Sequence, residues 1–173
     1  LDLQFRDADA LINWQAANPD MGHALTPTCL RLETSGDVTR LPGFDAGTWW
    51  VQDISASLAA PLLQADAQAH VLDLCAAPGG KTLQLAARGV KVTALDASES
   101  RLERLAANLA RTGLSAQTIL GDLESWGAPE KFSHVLLDAP CSASGTFRRN
   151  PDVTVKIDQS KMKKYQKTQI EMV

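Results

Sequence analysis

Between residues 70 and 137, short apolar segments alternate with amphipathic ones, and this order restricts the possible folds more than any other feature. The apolar segments predict strands at 70–74, 91–95, 117–120 and 133–137. The amphipathic segments predict helices at 81–88 and 98–112, which end at Gly89 and Gly113. Strands and helices in this alternation predict an α/β fold with a parallel sheet and right-handed crossovers. Ligands of such sheets bind at the carboxyl ends of the strands.

The first 52 residues differ in pattern and predict a small α+β subdomain. Its predicted elements are a helix at 7–17 capped by Asp7, a β-hairpin at 28–41 and a strand at 49–52. We place the hairpin turn at Ser35, Gly36 and Asp37. The second unit, residues 53–173, is predicted to open with a helix that Asp53 caps and that runs to about residue 63.

The segment Pro78-Gly79-Gly80 lies between a predicted strand and a predicted helix. Its glycines let the backbone approach a ligand closely, and the helix behind it presents free N–H groups. A nucleoside triphosphate is disfavoured, because the phosphate-binding motif needs glycine where Cys75 stands and Pro78 removes a backbone N–H. A dinucleotide is disfavoured as well, because APGGKT does not contain the GxGxxG pattern.

A third ligand, S-adenosylmethionine, fits this loop best because it has no pyrophosphate. It needs close approach of the backbone and a carboxylate for its ribose hydroxyls. Asp96 ends the second predicted strand, where a ribose ligand belongs, and Asp122 follows the third strand on the adenine side. An N-cap or a turn is the structural alternative for each acid alone, but it explains acids at three strand ends poorly.

A cysteine follows the fourth predicted strand, in the segment DAPC at 138–141. A thiol in a loop rich in Gly and Ser favours a reactive group, and a small buried residue is the alternative for Cys141. Methylation of a pyrimidine at carbon 5 needs such a thiol, because a thiolate that adds to carbon 6 makes carbon 5 nucleophilic. Asp138 would hydrogen-bond the cytosine edge or help to position the cofactor. Cys75 is interpreted as a packing residue that lines the pocket, and Cys29 as a core residue.

Basic residues are concentrated after this cysteine. Arg148 and Arg149 predict contacts with RNA phosphates, with ordinary surface charge as the alternative. Residues 153–173 contain five Lys, no Arg and two acids, and they predict a helix. Its lysines either face phosphates or form a solvated face.

The composition excludes several classes of protein. The net charge of −3 gives no general nucleic-acid signature, and no apolar run approaches the roughly 20 residues of a membrane helix. The three cysteines are too widely spaced for a CxxC zinc site or a disulfide framework, which favours a reducing compartment. The three histidines are isolated and indicate no metal site. We therefore expect a cytoplasmic monomer without membrane association.

Four motifs give the chain a specific resemblance to a known family. They are DLCAAPGGKT at 73–82, LDASESRL at 95–102, GD at 121–122 and DAPCSASGTFRRNPD at 138–152. The chain resembles the RNA cytosine-5 methyltransferases, and among them the Fmu/Sun (RsmB-like) enzymes of small-subunit ribosomal RNA. The resemblance implies a Rossmann-like methyltransferase sheet, here limited to its first four strands, and an RNA-binding role for residues 1–52.

The resemblance also implies roles for individual residues. It implies a S-adenosylmethionine site formed by Cys75, Ala76, Ala77, Pro78, Gly79, Gly80, Lys81, Asp96, Asp122 and Asp138. It further implies that Cys141 is one of two catalytic cysteines and assists release of the methylated product.

In one respect the chain departs from the family pattern. The nucleophile of the family lies in a Thr-Cys-Ser motif after a fifth strand, and no cysteine follows Cys141 here. We therefore expect the chain to be a piece of a longer enzyme and inactive by itself. The alternative is a catalytically inactive module that binds S-adenosylmethionine or RNA.

Overall fold

The structure is a computed structural model that describes residues 1–33, 36–147, 150–156 and 158–172. It contains two four-stranded sheets, one antiparallel and one parallel. No helix in the described part of the chain has both the length and the apolar character that crossing a lipid bilayer requires.

The antiparallel sheet is built by the first 51 residues. Its strands are β1 (Asp2–Phe5), β2 (His23–Thr26), β3 (Cys29–Arg31) and β4 (Trp49–Val51), in the order β2-β3-β1-β4. Helix α1 (Ala8–Ala17) covers the sheet and begins where the Asp7 carboxylate accepts a hydrogen bond from the N–H of Ala10 at 2.7 Å. The predicted helix, its cap and the strand at Trp49 are thus confirmed.

The predicted hairpin at 28–41 is wrong. Strand β3 pairs with β2 and β1, and Val38–Arg40 form a single 3-10 turn that begins at Asp37. The tight turn is the one before β3, at Pro27 and Thr28. The Asp37 carboxylate accepts a hydrogen bond from the N–H of Thr39 at 3.0 Å, which favours a helical turn over an extended strand. Ser35, in the predicted turn, lies outside the described residues.

The helix predicted at 53–63 is divided in two, α2 (Ile54–Ser57) and α3 (Ala59–Leu62). Asp53 caps α2 as predicted, because its carboxylate accepts a hydrogen bond from the N–H of Ser55 at 2.9 Å. Pro61 has no N–H to donate to the carbonyl of Ser57, four residues earlier. The side-chain amide of Gln84 donates to that carbonyl instead, at 2.9 Å.

The parallel sheet confirms the predicted α/β fold. Its elements are β5 (His70–Leu74), α4 (Gly80–Ala87), β6 (Lys91–Asp96), α5 (Glu99–Thr112), β7 (Gln117–Leu120) and β8 (His134–Leu137), followed by α6 (Val153–Lys156) and α7 (Gln159–Glu171). The strand order is β7-β6-β5-β8. The chain therefore moves outward from β5 to β7 and then returns to the other side of β5. Such a reversal leaves a crevice at the carboxyl ends of β5 and β8, the neighbouring strands between which the direction of the connections changes.

A series of three buried hydrogen bonds connects the antiparallel sheet to helices α4 and α2. The indole N–H of Trp50 donates to the side-chain oxygen of Gln52 at 2.8 Å, and the Gln52 amide donates to the oxygen of Gln84 at 2.7 Å. Gln84 then donates to the carbonyl of Ser57. An indole N–H only donates and a carbonyl only accepts, so both glutamines are fixed in one orientation.

This series of hydrogen bonds gives a prediction for Gln52→Glu. At about pH 8 the carboxylate has no N–H for the oxygen of Gln84, and we expect the free energy of unfolding to fall by about 1–3 kcal/mol. Protonation of the introduced carboxylate restores a hydrogen-bond donor. The difference in the free energy of unfolding between wild type and Gln52→Glu should therefore shrink towards about pH 5. Chemical denaturation at both pH values measures this. Gln68→Glu, at an exposed position, is the matched control. Equal free energies of unfolding for the two variants would contradict the role of the buried hydrogen bonds.

Candidate functional site

The loop between β5 and α4 is held in a tight space that requires glycine. Gly79 has a φ of +108°, and a Cβ at this position would lie 2.3 Å from the Leu105 side chain on α5. A Cβ on Gly80 would lie 3.1 Å from the side chain of Gln52. The two glycines therefore let this loop pack between α5 and the antiparallel sheet.

The backbone N–H groups of this loop bond to β6. Ala76 donates to the carbonyl of Leu95 at 3.1 Å, and Ala77 donates to the carboxylate of Asp96 at 3.0 Å. Pro78 has no N–H to offer. A phosphate nest needs consecutive N–H groups that point at the ligand, and residues 76–78 of this loop do not supply them.

Asp73 is a site residue that the sequence prediction missed. It lies in β5, and it is fully buried. One carboxylate oxygen accepts a hydrogen bond from the hydroxyl of Thr82 at 2.6 Å, and the other is buried with no hydrogen-bond partner among the described residues. Its signal in the sequence is an acid inside the apolar segment HVLDL. Buried carboxylate oxygens are normally satisfied, so the unpartnered one points to a ligand.

Burial raises the pKa of the Asp73 carboxyl to about 7. The Thr82 hydroxyl and the charge of Lys81 lower this pKa, whereas the charges of Asp138 and Asp96 raise it. Desolvation therefore outweighs the hydrogen bond. A cation bound beside the free oxygen would lower the pKa again and favour the carboxylate.

Asp73 lines a crevice of about 450 Å³ at the carboxyl ends of β5 and β8. Lys81, from α4, and Asp138, after β8, form an ion pair across it with a distance of 2.6 Å between Nζ and Oδ2. Six of the predicted cofactor residues line this crevice: Ala76, Ala77, Pro78, Gly80, Lys81 and Asp138. Gln52 and Asp53 line it too, and the sequence prediction did not include them.

The other predicted cofactor residues, Cys75, Gly79, Asp96 and Asp122, do not line this crevice. Asp96 is almost fully buried, and its carboxylate accepts hydrogen bonds from the N–H groups of Ala77 and Ser98 and pairs with Arg101 at 3.5 Å. Cys75 is half-buried at the end of β5, with a φ of +58°. Asp122 is exposed after β7, where its carboxylate accepts a hydrogen bond from the N–H of Glu124 at 3.1 Å.

The cysteines have three different environments. Cys141 is exposed and lines an adjoining crevice with Lys81 and Asp138, so the alternative of a small buried residue is wrong. Cys29 is completely buried, as predicted for a core residue, and burial raises the pKa of its thiol to about 11. Burial also raises the pKa of Cys75, which keeps that thiol protonated. Arg148 and Arg149, predicted to contact RNA, lie outside the described residues.

Comparisons with known proteins agree on one family. Residues 60–173 match the family of 16S rRNA methyltransferases RsmB/F. The chain is 47% identical over 136 residues to ribosomal RNA small subunit methyltransferase B of Vibrio cholerae, which covers 76% of this chain and 31% of the relative. It spans about a third of the length of the curated relatives that it matches.

Two solved structures show the same fold. The protein PH0851 superposes with a TM-score of 0.89 at 26% identity, covering 99% of this chain and 42% of that one. A methyltransferase homologue from Pyrococcus horikoshii gives a TM-score of 0.78 at 25% identity, covering 99% of this chain and 57% of that one. The predicted Rossmann-like methyltransferase sheet and the predicted resemblance are thus confirmed.

The raised pKa of Asp73 predicts how stability depends on pH. Between pH 3.8, the ordinary pKa of an aspartate carboxyl group, and about pH 7, the folded state holds a proton that the unfolded state has released. The free energy of unfolding should therefore fall as pH rises through this window, and Asp73→Asn should remove that fall. Denaturation across this range measures the slope. Asp20→Asn, at an exposed position, serves as the control, and parallel profiles for wild type and Asp73→Asn would contradict the prediction.

Proposed function

Since the chain belongs to the RsmB/F family of 16S rRNA methyltransferases, we propose that the whole protein methylates carbon 5 of a cytosine in small-subunit ribosomal RNA. The methyl donor is S-adenosylmethionine. Residues 53–173 contribute the cofactor-binding part of the methyltransferase domain, and residues 1–52 contribute an RNA-binding subdomain. The enzyme works in the cytoplasm as a monomer.

The observation that carries the proposal is the buried, unpartnered oxygen of Asp73 in the crevice. S-adenosylmethionine has two cationic groups, an ammonium and a sulfonium. Asp138 lines the same crevice, but its charge is already paired with Lys81. One uncompensated carboxylate therefore remains for a cationic ligand, and the low local polarity strengthens that attraction.

We assign the remaining parts of the cofactor to residues of the β5–α4 loop and of the ends of β6 and β7. The loop from Cys75 to Lys81 offers a close approach of the backbone at Gly80, which lines the crevice and has no side chain. Asp96 stands at the end of β6 for the ribose hydroxyls, and Asp122 stands after β7 on the adenine side. The loop N–H groups that bond to β6 make a triphosphate a poor alternative.

The chemistry assigned to the site is covalent catalysis. A thiolate adds to carbon 6 of cytosine, carbon 5 takes the methyl group that the cofactor supplies, and elimination releases the carbon 5 proton and the thiolate. Cys141 assists this elimination, and its exposure beside Asp138 supports a place next to the base. Asp138 hydrogen-bonds the cytosine edge, and Arg148 and Arg149 hold RNA phosphates.

The role of Asp73 predicts a pH-dependent affinity for the cofactor. Between about pH 5.5 and 7, calorimetric titration should show S-adenosylmethionine binding more tightly as Asp73 ionises. Asp73→Asn should weaken binding about tenfold to a hundredfold and remove this dependence. Thr82→Val is the matched control, because it keeps the carboxyl group and removes a hydrogen bond that lowers its pKa. Thr82→Val should therefore move the midpoint of the pH-dependent affinity for S-adenosylmethionine to higher pH. An unchanged affinity of Asp73→Asn would refute the cation site.

The role of Cys141 predicts a trapped intermediate in the product of the complete gene. Cys141→Ala should bind S-adenosylmethionine as tightly as wild type, because Cys141 lines the adjoining crevice. It should also retain RNA as a covalent adduct that survives a denaturing gel, since release is impaired. Ser142→Ala, at the neighbouring position, should release its product normally. A loss of cofactor binding in Cys141→Ala, or normal release of RNA, would contradict the assignment.

A further inference from the structure

Four lysines lie on one face of α7: Lys161, Lys163, Lys164 and Lys167, called the lysine face below. All four are exposed. At about 100° per residue, they occupy less than half of the helix circumference. Glu171 lies on the same side and pairs with Lys167 at 3.6 Å, and an exposed pair of this kind is weak and easily exchanged.

The lysine face is held close to the loop that follows β8 and contains Cys141, residues 138–147, called the catalytic loop below. Asp158 caps α7 by accepting a hydrogen bond from the N–H of Lys161 at 2.9 Å, which fixes the start of the helix. Near its end, the side-chain amide of Gln169 donates to the carbonyl of Pro140 at 2.9 Å, next to Cys141. Gln169 lies on roughly the opposite side of α7 from the lysines. The helix therefore rests on the loop and presents its lysines outward.

The charge distribution makes this face distinctive. Residues 1–152 contain 12 Lys and Arg against 18 Asp and Glu, a balance of −6, whereas residues 153–173 have five Lys against two acids, a balance of +3. The crevice itself is lined by carboxylates and would repel phosphates. An anionic polymer that enters the crevice needs a positive surface beside it.

We propose that the lysine face binds the phosphate backbone of the substrate RNA where the RNA leaves the catalytic loop. This inference rests on the proposed function and adds a surface to it. Lysine ammonium groups are mobile point charges, which suits contact with phosphates without base readout. An anionic membrane surface is the competing partner, because Met162 and Ile170 on the same helix are also exposed. Contact with the catalytic loop favours RNA.

The test is the salt dependence of RNA binding by Lys163→Gln/Lys164→Gln. Fluorescence anisotropy with a labelled single-stranded RNA of mixed sequence gives the slope of log K against log salt concentration. Each lost phosphate contact should reduce this slope by about 0.7, and the affinity near physiological salt should fall about tenfold for the pair. Calorimetry of the same variant should show unchanged affinity for S-adenosylmethionine, which separates a failure of this surface from a failure of the cofactor site.

The matched control is Lys91→Gln/Lys131→Gln, which removes the same charge at exposed positions. Lys91 is the first residue of β6 and Lys131 precedes β8, so both lie at the amino ends of these strands, on the opposite side of the sheet from the crevice. This variant should keep the wild-type slope of log K against log salt concentration.

Equal slopes for wild type and both variants, or equal losses of RNA affinity in the two variants, would overturn the proposal. Binding to vesicles with anionic lipid that only the α7 variant loses would overturn it in favour of a membrane. An absence of RNA binding in every protein would overturn both the surface and the RNA substrate.

Discussion

The buried carboxylate of Asp73 is the group on which the rest of the site depends. Removing a carboxylate from water is costly, and in the part of the chain that the structure describes the hydroxyl of Thr82 is the one hydrogen-bond partner of Asp73. Thr82 is placed by α4, and α4 is held by the hydrogen-bond chain that starts at Trp50 in the antiparallel sheet. The hydrogen bonds from Trp50 through Gln52 to Gln84 thus hold α4 against the antiparallel sheet, and α4 places the Thr82 hydroxyl on the Asp73 carboxylate.

The charges around the crevice are separated by sign. Lys81 and Asp138 neutralise each other, so Asp73 is left to attract a cation into the interior. The lysine face lies outside, beside the catalytic loop, where it would attract an anion. In the proposed function, the cofactor is cationic and the RNA is anionic. The arrangement would draw each of them to a different place, and the carboxylates would keep RNA phosphates out of the cofactor position.

Most of the parallel sheet could be predicted from the sequence because its signals are local. Gly89 and Gly113 end helices, and each strand is a short apolar run. The β-hairpin was wrong because pairing in an antiparallel sheet is decided by distant partners: β3 pairs with β1, which is 25 or more residues earlier in the chain. Asp73 was missed because its role depends on Thr82 and on burial. The lining residue Gln52 belongs to the site only through the packing of one sheet against the other.

The central claim is that this crevice holds a cationic methyl donor and not a nucleoside triphosphate. Calorimetric titration of the chain with S-adenosylmethionine and, separately, with ATP tests this most directly. The carboxylates in the crevice and the loop N–H groups committed to β6 predict saturable binding of S-adenosylmethionine and no binding of ATP. Binding of ATP without binding of S-adenosylmethionine would contradict the account.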